Sequence, residues 1–170
     1  VSAPVIPVIV VLMGVSGSGK TTIGTLLAQR GGAVFADGDD YHPLANKEKM
    51  KAGQPLNDED REPWLERLNV LLRDWLETGT SGVLACSALK QKYREILSAH
   101  TPEGSVQFVL LEGSKELIAS RLAARNHEFM NPGLLDSQFK TLEDPGDALH
   151  VKNDRTPDEV VTEILTKLKK

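Results

Sequence analysis

The sequence predicts an α/β domain built on a parallel sheet, and three observations carry that expectation. Short apolar runs rich in β-branched residues recur along the chain, segments with helical spacing lie between them, and a glycine-rich turn joins the first run to the first helical segment. Strands that alternate with helices pair in parallel and are covered on both faces, so they read as continuous apolar runs. At 170 residues the chain has the length of one domain, and no repeat, low-complexity tract or linker divides it. We therefore read residues 1–170 as a single domain.

Five strands are expected, at 8–13, 33–36, 82–86, 106–111 and, more weakly, 148–151. The opening VSAPVIPVIVVLM is apolar enough for a signal peptide. It lacks a basic start, carries Pro4 and Pro7 and runs straight into the glycine turn, which favours a first strand. The clearest helix places Trp64, Leu65, Leu68, Leu71, Leu72, Trp75 and Leu76 on one face, with Asp58 or Asp60 as its cap and Gly79 beyond its end. Both tryptophans lie on that apolar stripe and are expected in the core. A last helix begins at Thr156, where Pro157 suits the first helical position and Glu159 completes a capping box; Val160, Val161, Ile164, Leu165 and Leu168 form its buried face.

Apolar residues make up 40% of the chain and charged ones 26%, the balance of a soluble globular domain. The net charge of −4 provides no global positive field for nucleic acid or anionic lipid, so any anion must be bound locally. No run approaches the roughly 20 apolar residues of a membrane-spanning helix. The single cysteine, Cys86, has no partner for an internal disulfide and sits in an apolar run, which fits a buried hydrophobe in a reducing compartment.

Chemistry first appears after the first strand. Gly14, Val15, Ser16, Gly17, Ser18, Gly19, Lys20 and Thr21 match G-x-x-x-x-G-K-[ST], with Thr22 next and a helical segment following. Such a loop turns successive backbone N–H groups onto phosphate oxygens at a helix N-terminus; Lys20 reaches the terminal phosphates and Thr21 ligates Mg²⁺. A dinucleotide fingerprint fails, because Thr22 stands where the third glycine would be. The chain carries no Asn-Lys-x-Asp base-reading motif and is short for a motor core, which leaves a small-molecule kinase using ATP and Mg²⁺. The expected architecture is a three-layer P-loop NTPase fold on a five-stranded parallel sheet.

Ligands of such sheets bind beyond the carboxyl ends of the strands, and the second strand leads there into Asp37-Gly38-Asp39. If that segment is extended, both carboxylates point the same way, about 6.5–7 Å apart. Asp37 would then hold the metal, and Asp39 would receive the acceptor hydroxyl as positioning group or base.

From here the chain resembles the gluconokinases, in the cradle LMGVSGSGKTT, in DGDDYHPLANKEKMKAGQPLNDEDREPWL, in CSALKQKYR and in LLDSQFKTLEDP. The resemblance implies an adenylate-kinase-like or shikimate-kinase-like fold, phosphorylation of D-gluconate at its 6-hydroxyl, and a cytoplasmic homodimer. A sugar acid needs a cation for its carboxylate, for which Arg61 and Lys90 are candidates, and polar groups for its hydroxyls, for which His42, Asn46, Lys49 and Gln138 are candidates. Helix capping, turn formation or plain surface exposure would equally place each of these residues. His42 has no His or Cys near it at metal-ligand spacing.

Arg121 and Arg125 share a helical face just before NHEFMNPG, a weakly patterned stretch at about 126–133. In a kinase that closes a lid, such arginines clamp the moving phosphate charge; surface pairs with Glu116 or Glu128 are the competing assignment. Two further functions stay open on residues alone: a kinase for another small acceptor, such as shikimate or a nucleoside monophosphate, and a nucleotide-binding module without turnover.

Overall fold

The computed structural model describes residues 9–15, 18–54, 56–125, 138–144, 146 and 148–168, with backbone alone at 115 and 122–125. Five parallel strands run in the order β2-β3-β1-β4-β5, where β1 is Ile9–Met13, β2 Val34–Asp37, β3 Gly82–Ala85, β4 Val106–Glu112 and β5 Leu149–Lys152. The helices are α1 (Lys20–Gly31), α2 (Leu44–Lys51), α3 (Asp58–Thr78), α4 (Gln91–Leu97), α5 (Lys115–Arg125) and α6 (Pro157–Leu168). Each expected strand is present, within a residue at its described ends. The largest functional consequence of those shifts is that Asp37 closes β2 instead of following it.

Two cores explain why the strands read as unbroken apolar runs. Val10, Leu12, Val83, Val109, Leu111 and Val151 face α1 and α6, where Ile23, Leu27, Val160, Val161, Ile164 and Leu165 cover them. The alternate residues Ile9, Val11, Met13, Leu84 and Leu110 face α3 and α4, where Trp64, Leu65, Leu68, Leu72, Tyr93 and Leu97 close the second layer. With both faces packed, every position of β1 is buried, and the central strand delivers its carboxyl end to the cradle.

The helix starts divide into one that follows the expectation and one that corrects it. Thr156 caps α6 as expected, its hydroxyl accepting from the Glu159 N–H (3.3 Å) while the Glu159 carboxylate takes the Thr156 N–H (3.3 Å). At α3 the cap is Asn57, not Asp58 or Asp60: its Oδ1 accepts from the Asp60 N–H (2.8 Å), and Asp60 Oδ2 accepts from the Asn57 N–H (3.0 Å). Asp60 is thus the returning arm of the box. Asp58 occupies the first helical position, leaving its carboxylate to face another element.

A polar strut joins the two helices of the second layer. The buried Asn69 amide of α3 donates to the carbonyls of Leu97 (2.9 Å) and Ala99 (2.8 Å), which end α4. Removing it strands two acceptors, each worth about 1–3 kcal/mol when buried and unmet. We expect Asn69→Ala to lose about 2 kcal/mol or more in urea unfolding with an unchanged m-value; a loss below about 0.5 kcal/mol would mean that water replaces the amide.

Candidate active site

The cradle is built where β1 ends and α1 begins. Gly19 caps α1 at φ +98°, in the left-handed region where a side chain is strained, and a Cβ there would collide with the Asn153 amide. Lys20 folds back over the loop, donating from Nζ to the carbonyls of Gly14 (2.9 Å) and Val15 (3.0 Å). Burial lowers its pKa, opposed by the negative charges of Asp39 and Asp37. Ser18 carries the buried side-chain oxygen that has no hydrogen-bond partner among the described residues. A phosphate ligand meets these conditions: among the described residues, a cation bonded to carbonyls, a buried hydroxyl without a partner and a helix N-terminus converge there.

Thr21 and Asp37 meet across the cradle, the Thr21 hydroxyl donating to Asp37 Oδ2 at 3.0 Å. Hard oxygen donors in this pairing suit Mg²⁺. Thr22 lies exposed on the same first turn. Ser16 and Gly17 lie outside the described residues.

Asp39 reaches the site by a different route from the one expected. The segment after Asp37 is not extended: Gly38–Tyr41 form a 3₁₀ turn capped by Asp37, whose Oδ1 accepts from the Asp39 N–H at 3.0 Å. The turn is possible because Gly38 passes against β3, where a Cβ would stand 2.7 Å from the Ala85 carbonyl. Alternation along a strand therefore does not set the spacing of the two acids, although both still act on Lys20 through space.

Beneath Asp39 lies a buried frame. The His42 ring stacks on Trp64, centroids 4.0 Å apart at 17°, and the Trp64 indole N–H donates to the Gly38 carbonyl at 2.7 Å. Asn46 donates its amide to the Asp60 carbonyl (2.8 Å) and to His42 Nδ1 (3.2 Å), which places the ring proton on Nε2, 3.8 Å from Asp39 Oδ1. Burial, with the charges of Arg61 and Lys47, pushes the His42 pKa down to about 4, so the ring is neutral near pH 7. Trp64 is core, as expected, and also holds the turn at Gly38–Tyr41.

The N-terminus of α3 gathers the cations. Lys49 bonds Asp60 (2.7 Å) and holds its carboxyl below the usual range, while Lys90 bonds Asp58 (3.0 Å) and has its own pKa raised by that bond. Arg61 donates to the Tyr93 hydroxyl at 2.8 Å. Gln138 sits half-buried in a helical turn at 138–141; Phe139 in the turn and Leu142 just after it pack on Val15 and Leu89.

Arg121 donates to the Asn153 carbonyl at 2.6 Å, and Asn153 in turn donates its amide to the Ser18 carbonyl at 2.6 Å. The arginine is thus tied beside the cradle. Neither Arg125's side chain nor the stretch at 126–133 lies within the described residues. Asn153, Asp58 and Tyr93 were not legible as site residues, since each acts across more than 30 positions. Cys86 is buried, with its thiol pushed up to about 12, and so is inert as a nucleophile.

A phosphate cradle facing a second lobe of carboxylates and cations defines a P-loop phosphotransferase with a small acceptor. A shikimate kinase family model matches residues 16–169. The chain is 46% identical to a gluconokinase of Gluconobacter oxydans (strain 621H), over 94% of this chain and 90% of that one. It is 42% identical to the thermoresistant gluconokinase of Escherichia coli (strain K12), over 95% and 94%. Among solved structures, a gluconokinase from Sinorhizobium meliloti 1021 superposes with a TM-score of 0.87 at 39% identity, covering 97% of this chain and 93% of the other. Shikimate kinase from Aquifex aeolicus shares the fold, at a TM-score of 0.56 and 19% identity over 95% and 96% of the two chains. The chain belongs to the gluconokinase family.

Two outcomes test this geometry. Asn153→Ala removes the brace on the Ser18 carbonyl, and we expect the Kd for ATP, read by calorimetry, to rise about tenfold, the equivalent of one buried hydrogen bond. His42 binds its proton more readily when unfolded than when stacked on Trp64. Its contribution to stability is therefore complete above about pH 6.5 and is lost as the pH falls toward about 4. Melting temperatures across that window should fall more steeply for wild type than for His42→Phe, which keeps the stack and cannot titrate.

Proposed function

We propose that the chain transfers the γ-phosphoryl group of ATP to the 6-hydroxyl of D-gluconate, giving 6-phospho-D-gluconate and ADP. What supports this reading is that the Asp39 carboxylate acts through space on the cradle lysine Lys20, in a chain of this family. Lys20 exchanges its two carbonyl partners for phosphate oxygens and follows their charge as it moves. Asp39 accepts the hydrogen bond of the 6-hydroxyl and aligns it for in-line attack. As the new O–P bond forms, the proton passes to Asp39 and the bond to the β-phosphate oxygen breaks, with ADP leaving. The neutral His42 adds no positive charge beside Asp39, and its Nε2 stands 3.8 Å from that carboxylate.

Thr21 and Asp37 are the residues that would hold Mg²⁺, which when bound neutralises charge on the β- and γ-phosphates. Arg61 and Lys90 are assigned to the substrate's carboxylate, and Lys49 and Gln138 to its hydroxyls. His42 and Asn46, given the same role from sequence, act through Asp39 and Asp60 as a buried frame. Arg121, Arg125 and the segment at 126–133 are assigned, from sequence pattern, to closing over the phosphates. No helix among the described residues is long and apolar enough to cross a membrane. We further infer a homodimer acting in the cytoplasm, a state that light scattering over a range of concentrations tests.

The deciding experiment is a panel of ATP-dependent assays with gluconate, other sugar acids, shikimate and nucleoside monophosphates, in which gluconate should dominate. Tight ATP binding without turnover of any acceptor would sink the proposal in favour of a nucleotide-binding module. Within it, Asp39→Asn should lower kcat about 10²-fold or more with the KM for ATP little changed. A collapse of ATP affinity would instead make Asp39 the metal residue and Asp37 the acceptor group.

A further inference from the structure

The first turn of α3 and the start of α4 are joined by a polar network that neither the cradle nor Asp39 requires. Tyr93 is its hub. The ring is buried, the Arg61 guanidinium carbon lies 5.3 Å from its centroid, and Lys90 Nζ lies 5.6 Å from it. Its hydroxyl has one proton to give and gives it to Asp58 Oδ1, so its lone pair is turned toward Arg61 Nη1, which donates at 2.8 Å. Asp58 also takes Lys90 on Oδ1 at 3.0 Å and Lys92 on Oδ2. Two lysines thus bond one carboxylate, with Arg61 held beyond it on the Tyr93 hydroxyl, so the cluster around Asp58 carries more positive than negative charge and can receive an anion.

The network also fixes direction. An Arg61 side chain on a partly exposed helix turn would otherwise sample many rotamers, and a ligand would have to order it at an entropic cost. Here one of its five N–H donors is committed to Tyr93, the plane is held against an aromatic ring, and the other side-chain donors make no hydrogen bond among the described residues. Lys90 is restrained on the same ring by Asp58.

We infer that Tyr93 and Asp58 are positioning residues for the acceptor's carboxylate, acting by pre-setting Arg61 and Lys90 as a paired cationic clamp. This rests on the proposal that the acceptor is a sugar acid. It adds that affinity for the acid depends on two residues that do not touch it, and that the phosphate side of the reaction does not depend on them.

The test is steady-state kinetics on the full chain with gluconate and ATP. Tyr93→Phe keeps the ring and removes the hydroxyl; we expect the KM for gluconate to rise about tenfold, as for loss of a charge-assisted hydrogen bond, with kcat and the KM for ATP within about threefold of wild type. Because the effect passes through Arg61, Tyr93→Phe should add less than about threefold once Arg61→Met is present. Asp58→Asn, at a partly exposed position, gives a second reading and should also raise the KM for gluconate selectively. Additive effects of Tyr93→Phe and Arg61→Met, or equal changes in both substrates' KM values, overturn the inference and leave a structural tie between α3 and α4. Wild type without gluconate turnover overturns the proposed function itself, and with it this clamp.

Discussion

The acceptor side of the molecule hangs on one hydrogen bond, from the Trp64 indole N–H to the carbonyl of Gly38. Trp64 is nearly fully buried under the sheet, on the apolar stripe that α3 presents to β1 and β3. Its polar edge meets a turn that leaves β2 in the wrong direction for a strand, and its ring face supports His42. A buried tryptophan needs a partner for its N–H, and the turn needs one for its carbonyl. Each satisfies the other. The position of Asp39 over Lys20 is thereby referred to the hydrophobic core, so that packing energy is converted into placement of a carboxylate.

The cradle has its own anchor, and the two anchors are independent. Asn153 stands just after β5, its N–H bonded to the Glu112 carbonyl at 2.8 Å, and its side chain holds the loop at Ser18. Arg121 reaches the same residue from α5. The phosphate half is therefore braced by the β4–β5 side of the sheet, and the acceptor half by α3 on the β2–β3 side. β1 runs between them, and the cradle opens at its carboxyl end.

What could be read from the chain follows from which forces are local. The strands were legible because burial on both faces makes each an unbroken apolar run, and the cap at Thr156 because its partner Glu159 is three residues away. The cradle was legible because its glycines and Lys20 are contiguous. The cap of α3 was misplaced because Asn57 is followed closely by Asp58 and Asp60, both with the chemistry of a cap; only the reciprocal bonds of Asn57 and Asp60 separate them. The turn at Gly38–Tyr41 escaped because its cause is the approach of the Ala85 carbonyl, on a strand more than 40 residues away. Asp58 escaped for the opposite reason. An acid in the first turn of a helix is fully explained by the helix dipole, and nothing nearby announces that Lys90, Lys92 and Tyr93 will converge on it.

Cys86 lies where these halves meet, its N–H bonded to the Leu12 carbonyl at 3.0 Å and its side chain sealed beside Gly38 and the second core. A thiol with its pKa pushed up to about 12 and no path to solvent is closed to alkylation while the sheet is shut. Its modification by a thiol reagent then requires the turn at Gly38 or the α3 layer to lift from the end of β3. Since it is the single cysteine of the chain, the rate of that labelling is a clock for the opening of the catalytic edge, native to the protein and needing no introduced probe.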